Sequence, residues 1–124
     1  YMLYMVIADE TDEKAMATWL RYVEGADIGA LEWLIGRASD DKAAAEGSTA
    51  KAISASPSPI NFNMGTIVGS YATCARLLDQ AATMPGVKGL MLTFDDFLEG
   101  MDRFGQRIQP LMACRRHVTR MAAE

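Results

Sequence analysis

The chain has little of what marks several protein classes. Only two cysteines occur, Cys74 and Cys114, far apart and without a CxxC pair, which excludes a disulfide framework or a zinc ribbon. His117 is the single histidine. A metal site needs several converging donors, and none accompany it, so it reads as a surface residue. No apolar run approaches the roughly 20 residues that span a bilayer. There is no N-x-S/T acceptor, no nucleophile elbow and no Gly-rich phosphate loop. The 12 basic and 16 acidic residues are interleaved along the chain, which excludes the one-sided positive face of a nucleic-acid binder. What is present is 50% apolar residues in 124 positions, with a net charge of −4. That suits one globular domain in a reducing, cytoplasmic compartment.

Met2 to Ala8 is continuously apolar, the pattern of a strand covered on both faces in a parallel sheet. Asp9, Glu10, Thr11, Asp12 and Glu13 follow, short and acidic groups that favour a helix N-terminus. A helix over 12–24 then places Ala15, Met16, Trp19, Leu20 and Val23 on one face. Gly25 stops it, and a second helix over 27–36 carries Ile28, Leu31, Leu34 and Ile35. Residues 38–60 form an insertion rich in Ala, Ser, Gly and Pro, either a lid or a connector, with 38–58 expected to be the most mobile part.

Ser70 is the expected N-cap of a helix over 70–84, whose stripe is Tyr71, Cys74, Ala75, Leu78 and Ala81. Pro85-Gly86 turns the chain into a strand over 89–94. Asp95-Asp96 caps a last helix over 95–120, with Phe97, Met101, Phe104, Ile108 and Leu111 inward and a kink at Pro110. Strands 1–8 and 89–94 should be parallel neighbours, since a crossover separates them. A parallel sheet needs more than two strands. With a chain that opens on Tyr1-Met2, the expectation is one partial domain, 1–124, of a larger α/β protein.

The strings Asn63-Met64-Gly65-Thr66, Val68-Gly69-Ser70-Tyr71, Ala75-Arg76, Leu78-Asp79, Leu92-Thr93-Phe94-Asp95-Asp96-Phe97 and Ile108-Gln109-Pro110-Leu111-Met112 stand out from Asn63 to Met112. Together they closely resemble the C-terminal end of the pyrimidine monooxygenases that open the uracil ring, members of the bacterial-luciferase-like flavin-dependent family. Met5 to Asp12, and Gly25-Ala26-Asp27 with Ala30-Leu31 and Trp33-Leu34, are similar too. The resemblance is weakest from about 38 to 58. It implies a helix-rich α/β fold, the C-terminal fragment of a (β/α)8 TIM barrel, supplying its last two parallel strands with their helices. It also implies reduced FMN and O2 as cofactors, a separate flavin reductase drawing on NADH, and uracil or a related pyrimidine as substrate. The family's flavin-contact motifs have no counterpart in these 124 residues. The piece alone is therefore expected to be inactive and to hold no FMN.

In such barrels the reactive face lies at the C-terminal ends of the strands. Here that means Ala8 and Asp9, then Thr93, Phe94 and Asp95. Asp95 or Asp96 could hydrogen-bond a substrate, but helix capping accounts for both, as it does for Asp9, Glu10 and Asp12. Asn61, Asn63, Met64 and Gly65 would approach the barrel mouth if the insertion is a lid; an ordinary loop is the plainer reading. Cys74, on a buried stripe, behaves as a small apolar residue. No catalytic or metal-binding residue is assigned. Two other readings stay open: a related monooxygenase with a different small substrate, and a non-catalytic α/β interaction module. Unpaired strand edges and uncovered apolar stripes lead us to expect a homo-oligomer, with neither nucleic acid nor membrane as partner.

Overall fold

A computed structural model describes residues 1–39, 43–48, 51 and 60–115. The expected mobility of 38–58 falls largely outside them, as do His117 and the end of the last expected helix. Contacts divide the chain into two compact units, Tyr1–Leu20 with Gly65–Glu124, and Arg21–Met64.

The first unit is built on three strands, β1 (Met2–Asp9), β2 (Gly65–Ser70) and β3 (Leu90–Phe94). They are parallel, in the order β2-β1-β3. The parallel pairing of β1 with β3 is the one expected. The sequence reading, however, has two strands where the structure has three. GTIVGS carries glycines at both ends of a two-residue apolar run, and glycine argues against a strand. Each glycine has a steric reason to be there. A Cβ on Gly65 would lie 2.6 Å from the Tyr4 ring, and one on Gly69 2.7 Å from Thr73 Cγ2.

Tyr4, Val6 and Ala8 alternate along β1, and Leu90, Leu92 and Phe94 along β3, so they share one face of the sheet. Helix α3 (Tyr71–Ala82) covers that face with Cys74, Ala75 and Leu78. Ile67, Ile108 and Met112 complete the buried cluster. Helix α3 follows its sequence signals closely: Ser70 Oγ accepts from Thr73 N at 3.2 Å, and Pro85-Gly86 turns the chain with Gly86 at φ 83°. On the opposite face Ile7 is buried, while Leu3 and Met91 are exposed.

Helix α1 (Asp12–Glu24) starts in this unit, buries Ala15 and leaves Met16 and Leu20 exposed. Helix α2 (Ile28–Ser39) and a 3-10 turn, Ile60–Asn63, belong to the second unit.

The long helix expected over 95–120 is not continuous. Helix α4 spans only Phe97–Arg103, followed by a π turn, Phe104–Ile108, and 3-10 turns at Gln109–Leu111 and Ala113–Arg115. Pro110 cannot donate to the Gln106 carbonyl, and its ring crowds that group. The chain widens before it, with Gln109 N–H bonding Phe104 O, five residues back. The inward face is not the expected one. Ile108 and Met112 are buried, whereas Phe97, Met101 and Leu111, all expected inside, are exposed.

Candidate functional site

In a parallel sheet every strand delivers its C-terminal end to one edge. Here Asp9 pairs with Ser70 across β1 and β2, and Val6 with Phe94 across β1 and β3. The acidic residues that the sequence placed at this edge do gather there. Asp9 and Asp96 among them serve the backbone. Asp96 Oδ1 accepts from Glu99 N at 2.9 Å and caps α4. Asp9 Oδ1 accepts from Glu10 N at 2.6 Å. Glu10 pairs with Lys14 at 2.6 Å, and the lysine holds its carboxyl below the usual range.

Asp12 does something the sequence did not signal. Its Oδ1 accepts the backbone N–H of Ser70 at 2.5 Å, tying the start of α1 to the end of β2. That backbone bond, helped by the Ser70 and Thr73 hydroxyls, lowers the Asp12 pKa. A second unsignalled carboxylate is Asp79, which accepts from Ala113 N at 2.8 Å and Cys114 N at 3.0 Å. It anchors the chain beyond Pro110 to α3.

Between the ends of β1 and β3 lies a hollow of about 40 Å³, lined by Ala8, Phe94, Asp95, Asp96, Glu99 and Arg103 among others. Arg103 is paired with Glu99. Two larger hollows, of about 350 and 450 Å³, lie elsewhere. One is beside Gly89 and Leu90 at the start of β3, and the other is open on the Arg76–Gln80 side of α3. Gly65 does not join the C-terminal edge: it opens β2 opposite Tyr4, at the other end of the strand. Asn61, at φ 59°, and Met64 lie in the second unit, where Met64 N donates to Asn61 O at 2.9 Å.

Cys74 is fully buried, and its Sγ donates to Gly69 O at 3.5 Å. Burial pushes its thiol up to about 11. Cys114 is exposed, and its pKa is also raised, by partial desolvation and by the Asp79 carboxylate. Neither is an activated nucleophile. Among the described residues no group of acidic, histidine or cysteine side chains could hold a metal ion. No helix among them is long and apolar enough to cross a membrane.

No family model matches the chain. Individual proteins do. Pyrimidine monooxygenase RutA of a Bradyrhizobium species is 62% identical over 115 residues, 93% of this chain and 32% of that protein. The proteins of the same name from Stutzerimonas stutzeri and Enterobacter cloacae are 57% identical over 118 residues and 51% over 124. By sequence, the chain belongs with the pyrimidine monooxygenases. It spans about one third of the length of the curated relatives it matches: 32% of the Bradyrhizobium protein and 34% of the Enterobacter protein. The Enterobacter match covers 100% of the chain, so the compositionally distinct stretch 38–60 lies within the resemblance to pyrimidine monooxygenases. Pockets that enclose a small ligand run to about 300–1,000 Å³. The hollow at the strand ends, about 40 Å³, does not fit a flavin.

Proposed function

We propose that the chain is the C-terminal part of a flavin-dependent monooxygenase that opens the ring of uracil or a related pyrimidine. The observation that carries this reading is 62% identity to a pyrimidine monooxygenase over 93% of the chain. The whole protein would be a (β/α)8 barrel of the luciferase-like type, with this chain supplying its last strands. Reduced FMN and O2 would supply the oxygenation chemistry, and a partner flavin reductase would draw on NADH.

Contacts to flavin and pyrimidine then fall to the remaining two thirds of the parent. The residues here contribute scaffold: Asp12 and Asp96 fix where β2 and β3 hand over to the elements that follow. Among the described residues β2 and β3 are the outer strands of the sheet, and Phe97, Leu98 and Met101 are exposed, which supports a homo-oligomer. The same reading places the protein in the cytoplasm.

The test has two arms. The full-length protein, given FMN, a flavin reductase, NADH and O2, should consume uracil. The 124-residue chain should show no saturable FMN binding in a fluorescence titration. A full-length enzyme that spares uracil while oxidising another small substrate would move the specificity and keep the chemistry. Tight FMN binding by the 124-residue chain would place the cofactor site here after all.

A further inference from the structure

We infer that this segment has two strand orders, one alone and one within the longer protein. The second order rests on the barrel reading proposed above; the first rests on the structure itself. β1 is the central strand, and its residues have partners on both sides. Tyr4 faces Gly65 and Leu92, Met5 faces Thr66 and Thr93, and Val6 faces Ile67 and Phe94. In a closed (β/α)8 ring each strand is followed by its helix and then by its neighbour. The strand that comes second in sequence must then lie between the other two. Alone, β1 is in the middle; in a barrel, β2 has to be.

The two orders share the β1–β2 pair and differ in β3. Entering the barrel, β3 would give up its register with β1, Met2↔Leu90 to Val6↔Phe94, and take the outer edge of β2. That frees one edge of β1 for a preceding strand. More than a strand must move, because crossovers between parallel strands are right-handed. Reversing the direction of the step from β2 to β3 reverses the face on which its helix lies. So α3, which now covers Val6 and Ile67 with Cys74, Ala75 and Leu78, would lie on the opposite face of β2. The isolated chain thus forms a three-stranded parallel sheet with its own strand order and is not a cut-out of a barrel wall.

Engineered disulfides test this. The positions Leu3 and Met91 are direct partners across β1 and β3, on the face away from the buried cluster, and both are exposed. Met5 and Thr66 are partners across β1 and β2 and should be neighbours in both orders. Each pair is changed to cysteine in a Cys114→Ser background, in the 124-residue chain and at the matching positions of a full-length protein. Both pairs should bridge on mild oxidation in the chain. In the full-length protein the Met5/Thr66 pair should still bridge and the Leu3/Met91 pair should not. A Leu3/Met91 bridge in the full-length protein would overturn the exchange. Its absence from the chain, with the Met5/Thr66 bridge formed, would overturn the central position of β1. Failure of the Met5/Thr66 bridge in either protein would also overturn the proposal, since that pair is common to both orders. Uracil turnover in the same full-length protein is read separately, so loss of the functional reading is distinguishable from loss of this one.

Discussion

Ile108 and Leu111 are three residues apart, and in an unbroken helix they would share a face. In the structure they do not: Ile108 closes the π turn and is 1% exposed, whereas Leu111 ends the 3-10 turn after it and is 53% exposed. Truncating each to alanine therefore reads out the break directly. Ile108→Ala removes three carbons from a cluster that includes Leu78, Cys74 and Met112. The transfer loss is about 2–2.5 kcal/mol at roughly 0.8 per methylene, and the residual cavity brings it to about 3–4. Leu111→Ala should cost less than about 1 kcal/mol, since half its surface is already in water. With a urea m-value of about 1.5–2 kcal/mol/M, Ile108→Ala lowers the midpoint by about 2 M and Leu111→Ala by about 0.5 M or less. Equal losses, with unchanged m, would mean that the helix runs through Pro110 and that the inward face is the one its periodicity suggests.

Thiol chemistry should separate the two cysteines: in native protein at pH 8 an aromatic disulfide reagent should titrate Cys114 alone, with Cys74 reacting only in denaturant. Rapid native reaction of both would contradict the burial of Cys74. The lowered Asp12 pKa predicts that its bond to Ser70 stabilises the fold above the unfolded carboxylate pKa and is lost as pH falls through the folded value. Wild type should therefore exceed Asp12→Asn in stability at pH 6, and the gap should close by about pH 2; a gap constant with pH would refute it. Gly65→Val should destabilise the sheet, because a side chain there meets the Tyr4 ring at 2.6 Å, and Tyr4→Ala in the same chain should recover part of the loss.

How much of this was legible in the sequence varied with how many local signals agreed. At α3 the cap, the apolar stripe and the Pro-Gly stop all point the same way, and the buried residues are Cys74, Ala75, Leu78 and Ala81. β2 was missed because its glycines answer to close contacts with Tyr4 and Thr73, which no local pattern records. The break after Arg103 was signalled only by Pro110, and the widening lies upstream, where the chain relieves the clash. The pairing of β1 with β3 was expected on the premise of two strands. It holds in a sheet of three, where it has a different meaning, because β1 now lies between its neighbours. Strand order leaves no period in a sequence, so it could not be read.

The edge of the sheet was legible in kind but not in wiring. Acidic residues after each apolar run pointed to caps, and Asp96 is one. The Asp12–Ser70 bond joins residues 58 apart and has no local signature. Its consequence reaches function. At the C-terminal edge Asp9, Asp12 and Asp96 each accept a backbone N–H, and the Ser70 and Thr73 hydroxyls also reach Asp12. A ligand held by one of these carboxylates would compete with a bond that fixes where a strand meets the element after it. The hollow between β1 and β3, about 40 Å³, leaves room for a few waters at most. Under the proposed function, the groups that recognise the pyrimidine are therefore sought on the strands supplied by the rest of the parent, with the Asp12–Ser70 bond, across the β1–β2 pair common to both strand orders, holding the edge in shape. An Asp12 variant of the full-length enzyme should then lose stability before it loses affinity for its substrate.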